Sequence, residues 1–310
     1  MLSACGSSVD EGGGTGGGGG AAIPSIVLAY GTGAGEPLGR REERTVSGNG
    51  TAEGIIYDSS SDTFEVENLP FDGDNSYARD NSFAGAHLPG APTFAVYEND
   101  RTTTDPVTGA VINQFRHKAI RAVSSSGNVQ FSIVRTGEYV GYGFGGFIYQ
   151  RNNSVTLPTD GQAHYTGNYG GIRDFDGQGG LQYTTGTMNA DLDFLDGSMR
   201  ADVRNRRIYD VDGTDITDTI TDTLGLTVMP TLRFRVGPDA IRTNGDVVGT
   251  VQSSYTDGDG HRVPYETGNY YAVISGDNAE EVVGIIVVEP PTSDTGVTTR
   301  ETGGFILHRQ

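Results

Sequence analysis

The chain of 310 residues has no tryptophan, one cysteine and one lysine, Lys118. Without a second cysteine there is neither an internal disulfide framework nor a cysteine-cluster metal site. Positive charge is scarce too: 21 basic against 40 acidic residues leave a net charge of -19, a field that repels phosphate backbones and anionic lipid headgroups. No basic run exceeds a pair, Arg40 with Arg41 or Arg206 with Arg207, too short for a phosphate-binding patch. Long apolar runs are missing as well. The longest, from Val282 to Val288, includes Ile285 and Ile286 and falls far below the ~20 residues of a membrane-spanning helix; it reads as a buried strand.

What is abundant is glycine, with 48 residues, about twice the usual ~7 % and without a collagen period. That excess indicates turn-dense β-structure plus a flexible segment. At roughly 150 residues per domain the chain makes about two domains or one large one. From Ile26 onward the period of apolar residues is two. Met199, Ala201 and Val203 alternate with Arg200, Asp202 and Arg204, and Leu232 and Phe234 alternate with Arg233 and Arg235, each the mark of a strand with one wet face. Asp176-Gly177, Asp196-Gly197, Asp212-Gly213, Asn244-Gly245 and Asp257-Gly258 supply turns between such runs, which predicts an antiparallel meander. Residues 51–57 and 63–66 read as a hairpin, residues 93–97, 113–123, 129–134 and 142–149 as further strands, and no helix is expected. Pro158 with Asp160-Gly161 marks a boundary.

Several chemical motifs fail on context. Gly141, Gly143 and Gly146 satisfy the letters of a dinucleotide fingerprint, but Phe147, Ile148 and Tyr149 follow as a strand where a helix N-terminus is needed. Asp210, Asp212 and Asp215 lack the spacing of a calcium loop and read as a solvated turn. His87, His117, His164, His261 and His308 are never close in sequence, so they offer no zinc pattern. No nucleophile elbow occurs, and catalytic, cofactor and metal residues are all expected to be absent.

The N-terminus carries its own message. Leu2, Ser3, Ala4 and Cys5 resemble the lipobox of bacterial lipoproteins, with Cys5 as the lipidated residue and only a truncated signal before it. A glycine-rich run through Gly20 follows, a coil reaching roughly 25 Å over ~19 residues. The alternative is an incidental cysteine in a disordered tail.

In the second half, Ala163, Tyr165, Gly167 and Tyr169 share one strand face; later come Ala190 and Phe194, then Gly268, then Ala279 and Gly284, and finally Gly303, Gly304 and Phe305. This order resembles the C-terminal β-barrel of transferrin-binding-protein-B-like surface lipoproteins, the superfamily that includes factor-H-binding protein. The resemblance spans residues from about 160 to the end. It implies an all-β fold: an anchor and tether over residues 1–24, a β-rich handle-like domain over 25–157 and an eight-stranded antiparallel up-and-down β-barrel over 158–310. In such a barrel small inward residues allow closure and aromatics fill the rest, so these positions are structural.

The resemblance further implies a monomeric, non-enzymatic, lipid-anchored outer-membrane protein at the cell surface, which captures an extracellular iron- or haem-carrying protein through its loops. Residues 174–180, 210–224 and 256–266 are the barrel loops expected to take part. Two alternatives stand beside this: direct carriage of haem or a small ligand at the barrel mouth by Tyr165, Tyr183, His164 or His261, and a structural or adhesive envelope lipoprotein with no dedicated ligand.

Overall fold

The computed structural model describes residues 26–43, 50–69, 76–235, 237–291, 293 and 296–310. Cys5 and the glycine-rich segment lie outside them. The fold is all-β, in two parts.

The first part is a curled sheet of ten antiparallel strands. In chain order they are β1 (Ile26–Tyr30), β2 (Leu38–Glu42), β3 (Gly54–Asp58), β4 (Thr63–Glu67), β5 (Ser76–Arg79), β6 (His87–Leu88), β7 (Ala91–Asn99), then β10 (His117–Val123), β11 (Val129–Thr136) and β12 (Gly145–Arg151). Between β7 and β10 a separate ribbon, β8 (Thr102–Thr104) with β9 (Val111–Asn113), projects from the sheet. With the spatial order β1-β2-β12-β11-β10-β7-β5-β4-β3, the curl brings the β3 end of the sheet round to β12: Thr51 bridges Gly145, and Ala52 N donates to Gly145 O at 2.9 Å. The strand expected over 113–123 is two strands. It breaks at Phe115, whose ring turns aside to stack on Phe144 at 6.4 Å.

The second part is a closed barrel of eight antiparallel strands in sequence order: β13 (Gln162–Asp176), β14 (Gln182–Asp193), β15 (Ser198–Tyr209), β16 (Leu232–Arg235), β17 (Asp246–Thr256), β18 (Arg262–Ser275), β19 (Glu281–Glu289) and β20 (Thr298–Arg309). Closure comes from β13 pairing with β20, register Tyr165 to Arg309 through Asp176 to Thr298, and it leaves no sheet edge free to aggregate.

The barrel has two walls of different character. On β15, buried Met199, Ala201 and Val203 alternate with exposed or half-buried neighbours, because water wets the outer face. On β19, residues 281–288 are all buried. There Val282 and Ile286 point into the lumen, while Val283, Ile285 and Val287 pack outward against the handle sheet in one core with Phe94, Ile120, Phe131 and Phe147. The apolar run in the sequence is a strand covered on both faces.

The handle also docks through glycines. Gly170 and Gly304 are register partners on the outer wall, and a β-carbon at Gly304 would fall within the Phe131 ring, while one at Gly170 would press on Leu88 and Phe94. The absence of side chains makes the dent that receives the Phe94–Phe131 pair, an edge-to-face contact at 5.1 Å.

An α-helix, α1 (Thr217–Thr223), and a single 3-10 turn at Ala84–Ala86 depart from the sequence expectation. Ile216 and Ile220, four residues apart, pack with Met229 and Tyr265 over one end of the barrel. Gly225, at φ 65°, ends the helix, with its N–H donating to Asp222 O and that of Leu226 to Thr221 O.

Candidate binding surface

The lumen is filled along its length. Its apolar half holds Ala163, Tyr165, Met188, Ala190, Leu192, Met199, Phe234 and Phe305, among others. Tyr165 donates its hydroxyl to Ala279 O at 2.5 Å, and burial raises its pKa to about 12. The other half holds charge. Arg206, fully buried, donates through Nη1 to Glu266 at 2.7 Å and Pro230 O at 2.9 Å, and through Nη2 to both oxygens of Glu301 at 2.9 Å. Tyr169 OH adds a bond to Glu301 at 2.7 Å, and Ser253 one to Glu266 at 2.6 Å. Burial opposes the guanidinium charge, but the two carboxylates outweigh it and hold the Arg206 pKa well above its ordinary value.

Arg206 reaches the lumen because of a bulge. Thr185 pairs with Arg207 but Thr187 with Arg204, so Asn205 and Arg206 together oppose one residue, and Asn205 takes φ 53°. The extra residue shifts the alternation by one and turns Arg206 inward. In the sequence this arginine is half of a short basic pair, with nothing local to show its direction.

Of the positions carried by the family motif, Ala163, Tyr165 and Tyr169 on β13, Ala190 on β14 and Phe305 on β20 belong to the lumen core. Gly167 and Gly268 lie where a β-carbon would strike the backbone of the adjoining strand. Gly284 faces Phe305, and Gly303 lies against the Tyr169 ring. Ala279 sits in the β18–β19 turn at φ 53°, and Phe194, half-buried just beyond β14, lies under Arg309. Gly304, by contrast, faces the handle.

The residues considered for direct haem or small-ligand carriage are not brought together. Tyr165 is in the lumen core, Tyr183 packs outward against Phe83 of the handle, His164 is exposed and bonded to Asp191 at 2.7 Å, and His261 is exposed in the β17–β18 turn. Among the described residues no group of three or more metal-ligating side chains occurs.

With the lumen filled, the remaining candidate surface is at the loops. Strand polarity sends the β13–β14, β15–β16 and β17–β18 connections to one end of the barrel, so the three barrel loops singled out in the sequence meet there. The handle adds its own loops to the same end: Gly180 N donates to Gly137 O at 2.6 Å and Gly177 N to Val140 O at 2.8 Å, while Phe115 of the β9–β10 link stacks on Phe144 of this loop. Of the eleven large apolar side chains exposed among the described residues, seven are here: Val107, Val111 and Ile112 on the projecting ribbon, Tyr139 and Val140 on the handle loop, Leu224 and Val228 on the cap. Val107 is 91 % exposed and Val228 73 %. Exposed Asp100, Glu138, Asp212, Asp218 and Asp259 lie on the segments of the same end.

The two parts hold this surface as one unit. Arg151, buried and without a carboxylate, donates to the carbonyls of Gly33, Asn153, Asn244 and Ile274 at 2.6–3.0 Å, which ties handle, linker and barrel together. Arg40 pairs with Asp246 across the junction at 2.6 Å, and Arg135 with Glu42 and Thr302 at 2.9 Å.

No family model matches the chain, and no curated protein matches it. Among solved structures it is similar to a double mutant of transferrin-binding protein B from Haemophilus parasuis, at 12 % identity over 89 % of this chain and 45 % of that one, with a TM-score of 0.41. It is also similar to isotype 1 transferrin-binding protein B from serogroup B Neisseria meningitidis, at 15 % identity over 63 % and 33 %, with a TM-score of 0.35, and to a crystal structure described as a surface lipoprotein, at 15 % identity over 57 % and 76 %, with a TM-score of 0.30. The chain spans about half the length, or less, of the transferrin-binding proteins it matches.

Proposed function

We propose that this protein is a lipid-anchored binding protein of the bacterial outer membrane, attached through Cys5 and exposed at the cell surface, which captures an extracellular protein on its loop end. The observation that carries the reading is the gathering of seven of the eleven exposed large apolar side chains at one end of a body whose lumen is packed. Exposed apolar side chains gathered at one end, with charged residues on the same loops, are characteristic of interaction sites. A ligand of this surface engages loops from both domains at once, and the Gly180–Gly137 and Gly177–Val140 hydrogen bonds join those loops directly, so less ordering entropy is lost on binding. The family resemblance in the sequence supplies the ligand class, an iron- or haem-carrying extracellular protein. Direct carriage inside the barrel has no comparable support, since Tyr165, Tyr183, His164 and His261 do not converge.

Protease shaving of intact cells expressing the gene with a complete signal tests anchoring and exposure together. The body is released from the wild type, whereas a Cys5→Ser variant is not retained at the membrane. Capture is then scored with labelled serum iron- and haem-carriers on the same cells, and a folded Val107→Asp/Val140→Asp variant is expected to lose it. A body that stays protected in intact cells overturns the proposal.

A further inference from the structure

Arg121 differs from the buried arginines among the described residues. Arg40, Arg135, Arg206 and Arg300 each face a carboxylate, and Arg151 is saturated by carbonyls. Arg121, half-buried on the face of the handle sheet turned away from the barrel, makes one hydrogen bond among the described residues, Nη2 to Gln130 Oε1 at 3.0 Å. Its guanidinium carbon lies over the Tyr57 ring, 3.8 Å from the centroid. Asp62 also influences its charge but is already engaged: Oδ1 accepts the hydroxyls of Tyr57 and Tyr97 at 2.8 and 2.9 Å, and Oδ2 accepts Arg79 Nε at 2.7 Å. Burial pushes the Arg121 pKa down, and the charges nearby, Asp62 among them, only partly restore it.

This arginine lines a cleft of about 310 Å³. The cleft exists because the handle sheet curls without closing. The segment leading into β3 meets β12 at the Thr51–Gly145 bridge, beyond which β3 pairs only with β4 and the gap between β3 and β11–β12 opens. Ile55 and Tyr57 of β3 form one wall, and Ile148 lies on the opposite side. The floor is polar: register places Arg121 beside Ser132, and Gln130 beside Gln150. A guanidinium carries five N–H donors in a planar fork suited to a carboxylate, and a charge taken partly out of water is normally paired. In a chain of net charge -19 that has no shortage of acidic side chains, this one is left open to the cleft.

We infer that the handle cleft binds a small hydroxylated organic carboxylate, of the size and polarity of a uronic acid, with its carboxylate on the Arg121 fork and its hydroxyls on Gln130, Ser132 and Gln150. The site is on a different face from the loop end, so it stands or falls independently of protein capture there.

Calorimetric titration of the folded protein with glucuronate, glucuronamide, hexanoate and inorganic phosphate tests this. Glucuronate binds saturably, its neutral amide does not, and hexanoate and phosphate bind more weakly, since one lacks the hydroxyls and the other the organic body. Arg121→Gln lowers glucuronate affinity by about tenfold or more, the scale of one charge-assisted pair, with a melting profile recorded alongside. Should that variant fail to fold, Ile148→Trp, which fills the cleft and leaves Arg121 in place, is expected to abolish binding. No saturable binding of glucuronate by the wild type, equal binding of the amide, or equal binding of phosphate each overturns the assignment.

Discussion

Handle and barrel are both curled antiparallel sheets, yet one closes and the other does not. In the barrel, β13 and β20 run long and in register, so every edge is paired and the lumen must be filled. It is filled with apolar side chains at one end and by Arg206, Glu266 and Glu301 at the other, each with a partner. In the handle the segment leading into β3 meets β12 at the Thr51–Gly145 bridge and β2 through Arg41 to Glu53 O, and the interior strip includes a guanidinium, Arg121, that makes no ion pair among the described residues. Closure thus decides how a buried charge is treated: inside the barrel it must be neutralised by the chain, while beside an open seam it stays available.

The largest expected effect comes from breaking the neutralised set. Arg206→Ala leaves Glu266 and Glu301 buried without their shared cation, and removing one partner of such a pair costs about 3–5 kcal/mol. Chemical denaturation is expected to show that loss. Arg206→Met combined with Glu266→Gln should recover part of it, because Glu301 then keeps Arg173, 3.5 Å away, as its cation and Glu266 no longer carries a charge; a double variant as unstable as Arg206→Ala would mean that shape, not charge, is the issue.

The handle has its own buried titratable group in His117. Burial depresses its pKa to about 4, against a weaker opposing bond from Nδ1 to Phe115 O. The folded state therefore binds fewer protons than the unfolded chain below the ordinary histidine pKa of about 6.5. Stability from this group is complete above pH ~6.5 and falls as the pH drops towards 4, by about 3 kcal/mol at the lower limit. His117→Phe, which keeps a ring against Tyr77, should flatten the stability profile between those pH values. A profile as steep as the wild type's would place the acid sensitivity elsewhere.

Much of this architecture was written locally. The wet wall declared itself through the alternation at Met199 to Arg204, and the dry wall through the unbroken run at Val282 to Val288, since a strand covered on both faces has no polar side to show. The helix, which the alternation hides, has a local signal of its own: Ile216, Ile220 and Leu224 recur every four residues and Gly225 follows as a stop. The direction of Arg206 had none, because one bulge residue at Asn205 inverts inside and outside beyond it. Nor could the loop end be seen whole. Val107 and Val228 are 121 residues apart in the chain, and only the strand order brings their loops to the same end.

The smallest effect tests whether the two parts unfold as one. Gly304→Val puts a branched side chain into the dent that receives Phe131, and overpacking a well-filled contact costs about 1–3 kcal/mol. The substitution touches the outer wall alone, on a strand whose inward neighbours Gly303 and Phe305 are unchanged, so the barrel itself should persist. If the junction couples handle to barrel, calorimetry shows a single transition shifted to lower temperature. If it is only a seam between two independent sheets, the handle transition separates from that of the barrel. The second outcome would also remove the basis for treating the loop end as one rigid surface, because the handle and barrel loops would then be free to move relative to each other.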